Sequence, residues 1–389
     1  MKQRRTKVSD VPLLMTPGPT QVCENVRIVR ALEMTSPDID LKFFKFYRKT
    51  CFKLAAFMNT ESQVLILGGE GMVALDSVCA SLAEPKDRVL ILDNGIFGEG
   101  FADMVKVYGA ESVVFKGDRT RGLSSEKLRE FLENDSDFKF ATIVHCDTPS
   151  GVLNDLKEIC PLLKSYGILT VVDAVSSMVG EPLFTDDWAI DICIGASQKG
   201  LSAPPGLAFL SISPAAWTVI EGRKTPIPSY YCNLLLWKNY YENLWFPYTL
   251  PISDIYGFNV ALDNVLKEGN AFKRHRKIAK AVRKAVIRSG LSLYLKSDYY
   301  STVTAINVPE GLDGEALVQK IKDEHGILIG GNFGYLKGKV IRIGHMGENA
   351  RLEYVSETLK AIQLTLKSEG VTLNADMEAV FLEEMVKKK

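Results

Sequence analysis

Residues 140–173 read FATIVHCDTPSGVLNDLKEICPLLKSYGILTVVD. A β-rich run at 140–145 is followed by 155–166, where apolar residues fall three and four apart, and then by a second apolar run at 168–173. This is the pattern of two parallel strands joined by a crossover helix. The same alternation extends outward, with strands expected at 63–67, 88–92, 112–115, 190–195 and 207–212 and helices at 72–82, 98–108 and 125–133. The fold class expected is α/β, with a seven-stranded, mostly parallel sheet between helices. In a right-handed crossover sheet ligands collect at the carboxyl ends of the strands, so the residues just after each strand are the candidates for chemistry.

After Asp254 the period lengthens, and 255–266 and 271–289 read as long helices. Lys273, Arg274, Arg276, Lys277, Lys280, Arg283 and Lys284 make the second one basic, which is more simply a solvated face than a nucleic-acid surface. A strand at 302–308, a helix at 314–324, strands at 327–329 and 339–343 and a helix at 350–367 then form an α+β unit. The expected division is an extended arm over 1–20, a large domain over 21–265 and a smaller C-terminal domain over 266–389.

Composition narrows the classes of function. The 389 residues are 46% hydrophobic and 24% charged, which excludes disordered and fibrous chains. Lys+Arg and Asp+Glu both number 47, so no net field draws the chain to nucleic acid or anionic lipid, and its expected partners are small molecules or copies of itself. The seven cysteines, at 23, 51, 79, 146, 160, 193 and 232, include no CxxC pair, as in a reduced, cytoplasmic protein. The basic segment 1–10 leads into no apolar run, and no stretch of 18 apolar residues occurs, so neither a secretory signal nor a membrane span is expected. His145, His275, His325 and His345 show no metal-ligand spacing.

Three segments can carry chemistry. Gly68-Gly69-Glu70-Gly71-Met72 marks the passage from strand to helix, where bare amides and the helix dipole suit a phosphate. The spacing Gly69-x-Gly71-x-x-Ala74, with Asp93 ending the next strand, also imitates a dinucleotide fingerprint, and a ligand-free tight turn explains it equally well. Ala196-Ser197-Gln198-Lys199-Gly200 places one lysine in a small-residue loop between apolar runs. Burial there would favour the neutral amine that Schiff-base chemistry requires, whereas a lysine snorkelling to solvent is the plainer alternative. Asp173 ends a strand 26 residues earlier. Alone it reads as a helix cap; paired with Lys199 it fits a carboxylate against the pyridine nitrogen of pyridoxal phosphate.

Thr16-Pro17-Gly18-Pro19, Val172-Asp173-Ala174-Val175-Ser176-Ser177, Ser197-Gln198-Lys199 with Ala203-Pro204-Pro205-Gly206, and Arg342-Ile343-Gly344 occur in order and with compatible spacing. Together they resemble the class V aminotransferases, and more narrowly the alanine-glyoxylate / serine-pyruvate branch, over residues 13 to 367. The resemblance implies a fold-type I pyridoxal 5'-phosphate enzyme working as a homodimer with active sites at the subunit boundary. It implies that Lys199 is the internal-aldimine lysine and Asp173 the partner of the ring nitrogen. Phe97 falls where the family stacks an aromatic on the cofactor, and Thr148 where a hydroxyl meets its phenolic oxygen. The Gly71 and Met72 amides and Gln198 are expected on the phosphate, with Thr249 contributed by the second subunit. Arg342 matches the arginine that forks the substrate carboxylate. The implied reaction moves an amino group from a small donor, alanine or serine, to glyoxylate or pyruvate by a ping-pong route.

Two departures stand out. Glu70 and Met72 occupy positions where the family often has serine or glycine and commonly has histidine, and Phe246 replaces a usual tyrosine. A carboxylate repels a phosphate dianion at close range, so Glu70 is expected to turn toward the substrate side and meet a cationic or hydroxylated group. Glu70, the run 145–151 and Arg342-Ile343-Gly344-His345-Met346-Gly347 also resemble the pyridoxamine-pyruvate aminotransferases. That donor, 2-aminoethylphosphonate, and in another class a nicotinamide-dependent dehydrogenase are the alternatives. A desulfurase is disfavoured because no cysteine lies in the small-domain half.

Overall fold

In a computed structural model that describes residues 11–387, seven strands form one sheet. They are β1 (Gln63–Gly68), β2 (Arg88–Asp93), β3 (Glu111–Lys116), β4 (Phe140–Val144), β5 (Leu169–Asp173), β6 (Ile192–Ala196) and β7 (Leu207–Ile212). Their order is β1-β7-β6-β5-β4-β2-β3. β4, β5 and β6 are buried along their whole lengths, as parallel strands covered on both faces must be. Helices α1 (Leu41–Phe57), α2 (Gly71–Leu82), α3 (Ile96–Val107) and α5 (Leu156–Ser165) pack on the strands, and α4 (Ser125–Asn134) leans on α5.

Only β7 runs against its neighbours. The connection 197–206 holds no helix and cannot carry the chain back for a parallel pairing, so it folds over as a short reversal. Lys199 therefore sits on a tight connection at the carboxyl end of β6. The turns after β1, β2, β4 and β5 open at that same end, which concentrates the candidate residues on one rim of the sheet.

Beyond the sheet come α6 (Ile252–Glu268) and α7 (Ala271–Arg288), then β8 (Val303–Asn307), α8 (Gly314–His325), β9 (Val340–Gly344), α9 (Leu352–Ser368) and α10 (Met377–Val386). β8 and β9 pair antiparallel. One main hydrophobic cluster gathers residues from Val26 to Ala271, and another gathers Met15 with residues from Ile278 to Phe381. The basic face of α7 is partly answered by acids, with Lys284 on Glu384, Arg288 on Glu383 and Arg274 on Glu268. Among the described residues no helix is long and apolar enough to cross a membrane.

Residues 1–10 of the expected arm lie outside the described residues. The remainder is tied down: Leu13–Leu14 pairs parallel with Ile327–Leu328, and the Gly344 amide donates to the Met15 carbonyl at 2.8 Å. The Thr20 amide then donates to the Gln198 carbonyl, so one segment links the C-terminal unit to the lysine loop.

α1 and α10 were not anticipated by the periodicity. α1 earns its place through Tyr47, which is fully buried and whose hydroxyl sits 2.8 Å from both the amide and the carbonyl of Ile66 on edge strand β1. It thereby satisfies backbone groups that an edge strand would otherwise leave open. Tyr47→Phe removes both bonds without changing shape and should lower stability by about 1–3 kcal/mol, read as a lower urea midpoint at unchanged slope.

Candidate active site

At the sheet's carboxyl rim a cavity of about 230 Å³ is lined by Lys199, Asp173, Thr148, Phe97, Glu70, Gly71, Met72 and Gln198, together with Gly18, Cys146 and Val175 among others. Lys199 Nζ donates to the Pro17 carbonyl at 2.7 Å, so the N-terminal arm supplies the amine's hydrogen-bond partner. Gly18 makes this approach possible: its φ is +110°, and a Cβ there would lie 2.5 Å from Lys199 Cδ and Nζ. Burial, with the nearby Arg342 charge, lowers the Lys199 amine to about 8, while Asp173 and Glu70 pull the other way. A lysine so placed does not snorkel.

Asp173 ends β5 and is 6% exposed. Among the described residues its carboxylate takes one hydrogen bond, 2.8 Å from the Val175 amide. That is the cap contact anticipated as the plain reading, yet the same residue also faces the cavity. Burial raises its pKa to about 6, with the Val175 amide and Lys199 opposing. A protonated ring nitrogen placed beside it would hold it ionised.

Phe97 is fixed from behind. Its amide donates to Asp147 Oδ1 at 3.0 Å, and Asp147 Oδ2 accepts from Ser150 Oγ at 2.8 Å. Asp147 is fully buried, its pKa is raised by that burial, and Arg342 partly offsets the effect. The Phe97 ring meets Phe333 edge-on at 6.0 Å, and Arg342 lies 5.6 Å over the Phe333 ring. Asp147 and Phe333 were given no individual role in the sequence reading, and Pro17 entered it only within the motif Thr16-Pro17-Gly18-Pro19. Asp147 stood within the quoted run 145–151, whereas no spacing signal marks a carbonyl or a phenylalanine contributed from residue 333.

Arg342 is not on the cavity wall. It donates through Nε to the Gly331 carbonyl at 2.7 Å and through Nη1 to the Thr148 carbonyl at 3.2 Å, which places it just beyond Thr148. Burial lowers it to about 10, with Asp147 and Glu315 opposing, so it remains a cation. Thr249 is exposed and apart from the cavity, in the segment 245–251 that precedes α6.

Glu70 caps α2: its Oε1 accepts from the Met72 amide at 3.0 Å, and Oε2 lies 3.4 Å from Gln198 Nε2. It borders the cavity but turns onto its own helix and Gln198, rather than toward a cationic or hydroxylated group on the substrate side as the sequence reading expected. The dinucleotide alternative does not assemble. Gly69 adopts φ +126° in a tight turn, while Asp93 accepts from the Gly95 amide, faces Arg119 and does not line the cavity.

The residues present fit pyridoxal phosphate at the ring end. One amine suits the aldehyde, one acid suits the ring nitrogen, and Phe97 and Val175 supply apolar walls. Among the described residues Gln198 Oε1 is buried without a hydrogen-bond partner at the edge of this cavity.

Comparison with known proteins agrees with this geometry. A family model described as "Aminotransferase class-V" matches residues 33–334. An aminotransferase of Methanocaldococcus jannaschii is 36% identical over 380 residues, covering 97% of this chain and 98% of its own. The pyridoxamine–pyruvate transaminase of Mesorhizobium japonicum is 32% identical over 372 residues, 93% of each chain. The crystal structure of the ureidoglycine-glyoxylate aminotransferase of Bacillus subtilis superposes with a TM-score of 0.94 at 28% identity, covering 98% of this chain and all of that one. With the amine, the acid and the fold in place, the chain belongs to the class V aminotransferases, enzymes that depend on pyridoxal phosphate.

Proposed function

We propose that the enzyme moves an amino group from a small amino donor, alanine or serine, to glyoxylate or pyruvate in two half-reactions at one site. The observation that carries this is the opening of Lys199 and Asp173 onto a single cavity, with Arg342 one residue beyond its wall. When bound, pyridoxal phosphate supplies the aldehyde that takes up the donor's nitrogen and the ring that accepts electrons from its α-carbon. Lys199 would hold the cofactor through Nζ, and the same amine, lowered by burial to about 8 in the free site, would move a proton to and from the substrate's α-carbon. Asp173 keeps a proton on the ring nitrogen. Arg342 receives the substrate carboxylate on guanidinium nitrogen not already given to Gly331 and Thr148.

The homodimer is what the family resemblance implies, and the exposed Thr249, apart from its own cavity, would then serve the site of the second copy. A second donor, pyridoxamine, is favoured by one observation: the carboxylate of Glu70 stands where a cofactor phosphate is expected. The relative of Mesorhizobium japonicum takes its name from that donor.

Purified enzyme given alanine and glyoxylate should release pyruvate with parallel-line, ping-pong kinetics; no transfer from alanine, serine or pyridoxamine to either oxo acid would refute the proposal. Lys199→Met should lower turnover roughly a thousandfold or more. It should also abolish the cofactor's visible absorbance band while leaving the circular dichroism intact.

Arg342→Lys keeps the charge but loses the planar fork. It should raise KM for the oxo acid about ten- to a hundredfold, with a smaller change in kcat.

Only the neutral amine attacks an aldehyde, so the rate of cofactor bonding to the apoenzyme should rise with pH through about 8 and level off above it. Arg342→Gln removes a neighbouring positive charge and should move that midpoint upward, as followed by stopped-flow absorbance.

A further inference from the structure

The helix that carries Phe97 does not cap itself. α3 begins after Gly95, whose extended backbone suits an N-cap but which has no side chain to accept from the amides of the first turn. The acceptor comes from elsewhere. Asp147, on the short ladder that pairs Cys146–Asp147 with Val152–Leu153, places Oδ1 3.0 Å from the Phe97 amide, 50 residues away in sequence. A Cβ at Gly95 would lie 2.3 Å from Asp147 Cγ and 2.5 Å from Oδ2, and its three nearest atoms would all belong to that carboxylate. Asp147 therefore fills the space in which the helix's own capping side chain would stand.

The carboxylate is held on its other side as well. Ser150 donates to Oδ2 through Oγ at 2.8 Å and through its amide at 3.3 Å. Asp147 is fully buried, and burial works against its charge, while these donors, the Phe97 amide and Arg342 work for it. α3 runs for 12 residues, so the positive end of its dipole adds to them. Phe97 is the second residue of the helix and lines the cavity, as does Thr148, the residue after Asp147.

We propose that Asp147 is a positioning residue for the amino-transfer reaction: by capping α3 from another loop it fixes the Phe97 ring against the bound cofactor. The inference rests on the reading of this cavity as the pyridoxal phosphate site with Lys199 as its amine. Offset stacking needs the aromatic plane held within a narrow range of tilt, and an uncapped first turn frays. Position 95 is glycine because the carboxylate of residue 147 occupies the space, so the two positions are alternative sources of one cap.

The test uses Asp147→Ala, Asp147→Asn, Gly95→Ser and the double variant Asp147→Ala/Gly95→Ser. Each apoenzyme is titrated with pyridoxal phosphate, the circular dichroism of the bound cofactor's visible band is recorded, and hydrogen exchange is followed in peptides spanning 95–98. Asp147→Ala should raise the dissociation constant about tenfold, weaken the visible dichroism and speed exchange at Phe97. Asp147→Asn keeps an acceptor for that amide and should stay within about threefold of the natural chain. Gly95→Ser alone drives its side chain into the carboxylate and should also weaken binding about tenfold. In the double variant the serine finds the space vacated, caps α3 locally and should restore binding to within about threefold. Three results overturn the proposal: single losses that add in the double variant, an Asp147→Asn as impaired as Asp147→Ala, or an Asp147→Ala that loses thermal stability with the dissociation constant and dichroism unchanged. If the natural chain bonds no pyridoxal phosphate, or bonds it no differently from Lys199→Met, the reading of the site falls and the proposal with it.

Discussion

Everything at this site depends on an amine and an acid that have both given up water and share one cavity. Burial pushes the two groups in opposite directions, the amine down to about 8 and the carboxyl up to about 6, so that each comes within reach of neutral pH. Burial produces both shifts, and each is moderated by the other's charge. A bound ring that reacts at its aldehyde and is protonated at its nitrogen completes both groups at once. Among the described residues the hydrogen bonds they make are few: the Asp173 carboxylate takes one amide, and the Lys199 amine gives one bond to a carbonyl.

The placement of these groups follows from the sheet. Parallel strands put every outgoing turn on one rim, and the single antiparallel strand exists because the 197–206 connection is too short for a crossover. The lysine is therefore carried on the tightest link in the sheet, where few backbone rearrangements are open to it. Asp147 extends the same logic outward: one buried carboxylate holds the Phe97 amide, is bonded by Ser150 and sits within the field of Arg342. The wall behind the ring position and the cation beyond Thr148 thus share a charge balance.

Much of this was visible in the residues. The strands and crossover helices announced themselves because buried parallel strands read as apolar runs and their helices keep a stripe of period near 3.6. Lys199 and Asp173 stood out because small, punctuated loops follow those runs, whereas Phe97 came only from the family resemblance. What the sequence did not reveal has a common cause. The Pro17 carbonyl, the ring of Phe333 and the hydroxyl of Tyr47 act across long separations through groups that leave no local pattern. α1 and α10 flank the alternating region, one before its first strand and one after its last long helix, so no neighbouring strand signal marked them. The orientation of Glu70 was misjudged because charge alone predicts avoidance of a phosphate, whereas the nearest satisfied arrangement for the side chain was the first turn of its own helix.

The latch between Pro17 and Lys199 carries one more implication. The arm that bears Pro17 is seated by Ile327–Leu328 and Gly344, elements more than three hundred residues downstream. During synthesis, those partners do not exist until the ribosome has produced most of the polypeptide. The large sheet can form while the lysine loop still lacks its carbonyl neighbour. Maturation of the reactive amine is thereby deferred to the closing stage of folding, so a chain stalled before the last third would own the sheet and its acid without an equipped nucleophile.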